Sequence, residues 1–269
     1  MKLDAAYYKA NSSIQQTLAN ELLCKHTFSE TDSVLDIGCG DGKITYEIAR
    51  LCNQGQAVGI DISHEMIALA NETHKKHVDN LTFKQKDAAV PQGFGHKQYD
   101  VVVSLNCLYW VKAIEQACRN CFNALKPSGH FLGLIYPKES EYWRPFEKVL
   151  RESPTWQRYY QDSCCPYWKE GNELLSLLNA IGFDEVNSSF EPGLAQSTAE
   201  EYINYIRGWI PCLFSASKEE HEQFMQAVLS EAKQHYWHSD HLEIPYTKLH
   251  LYLKRPNQRR ETYDGNIKK

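Results

Sequence analysis

Residues 34–42, Val34-Leu35-Asp36-Ile37-Gly38-Cys39-Gly40-Asp41-Gly42, constrain this chain more than any other stretch. A short apolar run ends at an acid, and three glycines follow at alternate positions. A helical pattern then starts at Lys43 and runs to about Leu51. Strand, glycine turn and helix in that order bring backbone against a nucleotide-like ligand in α/β proteins. Glycine admits unusual backbone angles and lacks the Cβ that would hold a ligand off. A dinucleotide loop spaces its glycines G-x-G-x-x-G. Here the spacing is G-x-G-x-G, and no Gly-Lys-Ser/Thr supplies a phosphate grip. Acids at Asp36 and Asp41 oppose a pyrophosphate and favour a ligand that carries positive charge.

Strand and helix signals alternate downstream. Strand one is 33–37, and strand two is 57–60, ending at Asp61. Ser63 is placed to cap a helix over about 65–77. Strand three, Leu81 to Lys84, stops just before Asp87, and strand four is Asp100 to Leu105. Ile114, Ala117, Cys118, Cys121, Phe122 and Leu125 follow a 3.6-residue period and predict an amphipathic helix. Lys126-Pro127-Ser128-Gly129 ends it, and strand five is Phe131 to Tyr136. This order predicts a doubly wound parallel sheet with helices on both faces.

After Tyr136 the rhythm breaks. Residues 137–168 are rich in Tyr and Trp and carry no strand pattern. A helix near 172–181, stopped by Gly182, precedes a sixth strand near 185–190. The segment 197–239 has two capping-box starts, Ser197-x-x-Glu200 and Ser217-x-x-Glu220, and so two helices. Strand seven is Thr247 to Lys254, with leucines alternating at 249, 251 and 253. Residues 4–26 read as helical, and the polar tail 255–269 as disordered.

Three predicted strands end at or near Asp36, Asp61 and Asp87, which places three acids along the carboxyl edge, the ligand edge of an open α/β sheet. Asp61 lies 23 residues past Gly38, where an acid accepts from both hydroxyls of a ribose. Its competing role is the cap of the helix that follows. Asp36 to Gly42, Gly-Ile-Asp-Ile-Ser at 59–63, Lys-Asp-Ala at 86–88 and Leu-Lys-Pro-x-Gly at 125–129 together resemble the class I S-adenosylmethionine-dependent methyltransferases. The resemblance covers roughly residues 33–136. It implies S-adenosyl-L-methionine as cofactor and S-adenosyl-L-homocysteine as product. It sets Asp36, Gly38 and Gly40 against the methionine part, with Cys39 among the cofactor contacts. It also sets Asp61, Ile62 and Met66 at the ribose and adenine, Asp87 and Ala88 at the adenine amine, and Asn106 among the cofactor contacts.

For the methyl acceptor, the polar-aromatic run Leu105-Asn106-Cys107-Leu108-Tyr109-Trp110 follows strand four at the same edge. With Tyr8 to Gln15 it resembles the juvenile hormone acid methyltransferases, and the general layout is similar to trans-aconitate and malonyl-carrier-protein methyltransferases. That group methylates carboxylates, and the resemblance gives Gln15 and Trp110 the acceptor acid. An alcohol or amine must lose a proton, whereas a carboxylic acid is already ionised at neutral pH. None of the 11 histidines follows a strand end as a positioned base. Arg144, Arg158 and Arg207 are candidates for a second carboxylate, with surface or packing roles as the alternative. Methyl transfer to a hydroxyl or amine, and an inactive cofactor-binding adaptor, remain alternatives. An adaptor would leave an exposed apolar patch at Trp110.

Composition excludes other classes. A formal net charge of −5 over 269 residues gives no reason to expect nucleic acid or an anionic membrane. No run approaches a membrane span, and Met1-Lys2-Leu3-Asp4 lacks the apolar core expected of a signal peptide. Nine cysteines without a disulfide framework suit a reducing cytoplasm. Cys118 and Cys121 form a C-x-x-C, but both fall on the apolar stripe of a helix, so packed thiols rather than metal ligands are expected. The expectation is one α/β domain over 1–254 with a doubly wound, mainly parallel seven-stranded sheet. Its core is 27–136, 170–192 and 245–254, and 1–26, 137–168 and 197–239 form a helical cap. The resemblance implies strand order 3-2-1-4-5-7-6, with strand seven antiparallel.

Overall fold

The computed structural model describes residues 21–160 and 170–257. At the centre of the sheet β1 (Ser33–Ile37) lies between β2 (Gln56–Asp61) and β4 (Tyr99–Leu105). Outside them run β3 (Leu81–Gln85) and β5 (Leu125–Ile135), and all five strands are parallel. β9 (His241–Lys254) joins β5 antiparallel, and β6 (Asp184–Glu185) pairs with its far end. The path β3-β2-β1-β4-β5-β9-β6 reproduces the expected order, with β9 in the place of the seventh strand.

Why these segments form central strands follows from where their side chains go. Successive residues point to opposite faces, and both faces are covered. Val34, Ala57 and Val101 enter one buried cluster, while their neighbours Leu35, Val58 and Val102 enter the other. Strands buried on both faces read as continuous apolar runs, which is how 33–37 and 100–105 looked in the sequence. Helix α1 (Lys43–Leu51) follows β1, α2 (His64–His74) follows β2, and α3 (Ile114–Ala124) follows β4. The Ser63 hydroxyl accepts from the Met66 N–H at 3.2 Å, as its capping position predicted. Cys118 and Cys121 are buried on the inner face of α3, as packed thiols would be.

Two regions differ from expectation. The sixth strand divides into β6 and β7 (Ser189–Ser197), both on β9, and β8 (Trp237–His238) pairs there as well. β9 extends for 14 residues, six more than the alternating leucines marked, because Pro245 interrupts the apolar alternation without ending the pairing. The helix start at Ser197 moves by one residue. Ser197 still pairs with Leu242 in β7, so Thr198 forms the capping box with Glu201. The second box, Ser217 with Glu220, stands as read.

The segment after β5 is helical, with α4 at Arg144–Glu152, and α5 (Gly171–Ile181) packs against α3. Gly182 closes α5 at φ 117°, in the left-handed region. The chain then builds α6 (Ala199–Arg207), the single turn α7 (Ile210–Leu213) and the long α8 (Lys218–Tyr236). α8 packs on both α4 and α6. Lys148 reaches Glu231 at 2.7 Å, and the Tyr236 hydroxyl donates to Glu141 at 2.7 Å. Trp143, Phe146, Tyr202 and Phe224 continue one buried cluster of the sheet into this helical region. Gln15 and the rest of 1–20 lie outside the described residues, as does most of the expected tail.

Candidate active site

The glycine loop closes against its neighbouring strand through backbone alone. Gly38 and Cys39 both donate to the Ile60 carbonyl, at 2.8 and 2.9 Å. Gly38, Gly40 and Gly42 sit at φ 78°, 53° and 80°. At Gly38 a side chain is excluded twice, by this conformation and because a Cβ would run into the Cys107 side chain. The loop therefore lies directly on the segment that leaves β4.

Two acids frame it. Asp61 accepts from the Gly40 N–H at 3.0 Å with one oxygen and from the Ser63 N–H at 2.8 Å with the other. Each carboxylate oxygen has a further lone pair, so both remain able to accept from a diol. Asp61 thus serves as a loop clamp, and the cap of α2 is Ser63 instead. Asp36 is turned inward and accepts from the Thr45 hydroxyl at 2.6 Å. Burial, opposed by the Thr45 hydrogen bond and reinforced by the charge of Asp61, pushes its carboxyl up from 3.8 to about 7. Burial also raises the Asp61 carboxyl, against the three backbone N–H groups that favour its anion. No Lys or Arg pairs with either acid among the described residues.

A cavity of about 400 Å³ opens at this edge. Gly38, Gly40, Asp61, Ile62, Met66, Asp87, Ala88 and Asn106 line it, and Trp110 joins them from the turn after β4. Asp36 and Cys39 do not reach its wall: Asp36 faces Thr45, and the Cys39 side chain is buried toward Gly59. Asp87 also accepts from the Ala89 N–H at 2.8 Å, which fixes the turn after β3. Asn106 stands at φ 58° in the left-handed region, and its buried side-chain oxygen has no partner among the described residues. A left-handed backbone and an orphan acceptor at one residue are features that ligand positions share.

Trp110 is half-buried rather than part of an exposed apolar patch. Its ring meets Trp143 at 5.8 Å and Trp209 at 5.5 Å, and Trp209 itself lines the cavity. Trp209, Cys107 and Lys112 are wall residues that the sequence reading did not single out. Cys107 had a signal, since it follows β4 at the ligand edge, but Trp209 arrives only through long-range packing. The three arginines have other work. Arg144 pairs with Glu141, Arg158 with Glu220, and Arg207 grips Glu222 with two contacts at 2.7 and 2.9 Å.

One trio of potential metal ligands occurs among the described residues, Glu21, Glu191 and His250. Lys25 lies 2.9 Å from Glu191 and 3.0 Å from His250, and Lys248 lies 2.8 Å from Glu21. Lysine ammonium groups already supply the positive charge there. No described helix is long and apolar enough to cross a membrane.

The fit to a cationic nucleoside is now testable on geometry. Uncompensated acids, an orphan acceptor at Asn106 and a backbone-lined loop suit a ligand with an ammonium and a sulfonium at one end and ribose hydroxyls at the other. A family model described as a methyltransferase domain matches residues 34–129. The juvenile hormone acid O-methyltransferase of Bombyx mori is 33% identical over 201 residues, 68% of this chain and 69% of that protein. The chain belongs to the class I S-adenosylmethionine-dependent methyltransferases. This methyltransferase is also 28% identical over 168 residues to the malonyl-(acyl-carrier protein) O-methyltransferase of Bacillus cereus, 58% of this chain and 61% of that protein. Phosphoethanolamine N-methyltransferase 2 of Haemonchus contortus, solved with S-adenosyl-L-methionine, matches at a TM-score of 0.60 and 19% identity, over 94% of this chain and 56% of that one. That likeness carries the fold alone.

Proposed function

We propose that this methyltransferase O-methylates the carboxylate of a small or medium-sized organic acid. The observation that carries the reading is the composition of the cavity wall. Among the described residues it has indole and amide groups near the end of β4 and no imidazole, while Asp61 and Asp87 accept from backbone N–H groups and Lys86 donates to the Gly93 carbonyl. A hydroxyl or amine acceptor needs a base for its proton, while an acid near pKa ~4 arrives ionised. Two relatives whose names specify acid or malonyl O-methylation support the same choice.

Bound in the cavity, the cofactor supplies an electrophilic methyl group on a sulfonium. Asp61 would hold the ribose hydroxyls with the lone pairs left by Gly40 and Ser63. Asp87, Ala88, Ile62 and Met66 would hold the adenine. Asn106 would accept from the ammonium group, and Asp36 would supply negative charge behind the loop. The loop residues Gly38, Cys39 and Gly40 contribute backbone. Trp110 orients the acceptor carboxylate by its indole N–H, with Gln15 as the second donor carried over from the family resemblance. The apolar rings around Trp110 exclude water, which strengthens the attraction between an anion and a sulfonium. The acceptor's carboxylate oxygen would take that methyl group with its own lone pair, and the electron pair of the carbon–sulfur bond would remain on the departing sulfur. No proton is released.

A screen with radiolabelled methyl donor tests this against carboxylic acids, phenols and amines side by side. Acids should accept label. Transfer only to phenols or amines would overturn the carboxylate reading and leave the methyltransferase intact.

A further inference from the structure

Two buried polar atoms of cavity-lining residues have no partner among the described residues, and they are opposite in kind. One is the acceptor oxygen of Asn106 and the other is the donor nitrogen of Trp209. The first matches a cofactor ammonium. The second has no role in the reading above. Trp209 is only 6% exposed, and the rings of Trp110, Trp143 and Phe146 lie 5.5, 5.4 and 5.0 Å away. An indole nitrogen can only donate. Phenylalanine would fill an aromatic nest without leaving a buried donor unmet, a defect that native structures rarely keep without reason. A buried water is a poor remedy in a wall that is otherwise apolar around this ring, since it needs several polar partners.

The position is also held firmly. Trp209 follows α6, its backbone N–H donates to the Ile206 carbonyl at 3.0 Å, and the adjoining Arg207 grips Glu222 on α8. Trp110 comes from the end of β4 and Trp209 from the helical segment that follows β7. The cavity that also contains Gly38 and Asp61 is therefore closed by indoles from two distant parts of the chain.

We propose that the Trp209 indole N–H donates a hydrogen bond to the acceptor's carboxylate, so that the helical cap itself recognises the methyl-accepting group. This rests on the carboxylate reading. A carboxylate has two oxygens and about four lone pairs. One oxygen takes the methyl group, and the other is free to be held by donors from Trp209 and Trp110. Acceptor selection then depends on residues of the cap, whereas cofactor binding does not.

The test combines kinetics with heteronuclear NMR of tryptophan-labelled enzyme, over a ladder of straight-chain and isoprenoid acids. Trp209→Phe should lower kcat/KM for the fastest acid about tenfold and leave S-adenosylhomocysteine affinity within about twofold, the limit set by ordinary surface-scale changes. Trp156→Phe, a buried tryptophan away from the cavity wall, controls for loss of packing. In the wild-type enzyme, the indole resonance missing from Trp209→Phe should shift when that acid joins S-adenosylhomocysteine, but not with S-adenosylhomocysteine alone. Methylation of acids with an unmoved resonance and unchanged Trp209→Phe kinetics would overturn this inference and leave the carboxylate reading standing. If no acid accepts label and a phenol or amine does, both fall together. Should Trp209→Phe fail to fold, the Trp209 indole resonance is assigned in the wild-type enzyme by sequential triple-resonance experiments, and its shift or immobility then decides.

Discussion

The two ends of the cavity are built by different physics. At the proposed cofactor end, backbone groups and the carboxylates of Asp61 and Asp87 form the wall, with Asp36 buried behind the loop, and the residues concerned lie within a few positions of strand ends. At the proposed acceptor end, aromatic rings from the turn after β4, the residue before α4 and the α6–α7 bend assemble from segments spread over about a hundred residues. The first end tolerates little variation because glycine angles and N–H directions leave no slack. The second is a packed nest in which volume-conserving swaps keep the fold and change the chemistry. A binding site for a fixed ligand and a site for a variable one therefore sit side by side on the same sheet edge.

Substitutions can break this division or sharpen it. Asp61→Ala should have the largest effect, removing the acceptors for the ribose as well as the clamp on Gly40. Affinity for S-adenosylhomocysteine should fall by about 2–4 kcal/mol, read by calorimetry, and unchanged affinity would refute the ribose assignment. Asp36→Asn should follow, at about 2–3 kcal/mol of cofactor affinity, with a second signature of opposite sign. The folded protein holds a proton on Asp36 up to about pH 7, whereas the unfolded chain releases it near 3.8. Stability is therefore lost as pH rises between those values. The asparagine variant lacks that loss, and at pH 8 it should unfold later than the wild type by up to ~4 kcal/mol. Equal stability of the two proteins at pH 8 would contradict the buried-acid assignment.

Trp110→Phe comes next and belongs to the other end. Turnover at saturating cofactor should fall about fivefold to thirtyfold, or about 1–2 kcal/mol, with cofactor affinity kept. The pH profile needs separating by region as well. Because Asp36 ionises near 7 without a cation beside it, kcat/KM for the cofactor should rise through neutrality. By contrast, kcat with both ligands saturating should stay level from about pH 6 upward, since the acceptor is ionised throughout. A level kcat/KM would count against Asp36, and a rising kcat would point to a base and a different acceptor. The smallest effect is expected for Arg207→Ala. Its pair with Glu222 is about one-third exposed, so less than ~1 kcal/mol of stability should be lost. The KM for the acceptor should rise a few-fold, while the KM for the cofactor stays put.

The same division explains what could be read from the sequence. β1 to β5 and α1 to α3 announce themselves by short-range period, and Asp61, Asp87 and Asn106 follow because they come at strand ends. The edges of the cap were harder. Ser197 and Thr198 both begin a plausible capping box, and only the pairing of Ser197 with Leu242 across the sheet selects the second. The split of the sixth strand depends on the length of β9, which no local pattern encodes. Asp36 carried the right chemistry, yet its side chain turns to Thr45 because both lie on the buried side of the loop. Trp209 had no local signal at all.

β9 has one more consequence, for the order in which the molecule is made. It is the common partner of β5, β6, β7 and β8, and it meets β5 more than a hundred residues after β5 has been synthesised. On a ribosome the glycine loop and its three acids are complete early, while the flank of β5 faces the cell without a neighbour. An unpaired apolar strand edge invites association with other chains. The nascent enzyme should therefore be able to form its nucleoside site long before it is safe from aggregation, and lesions in β9 should show up first as lost yield rather than lost affinity.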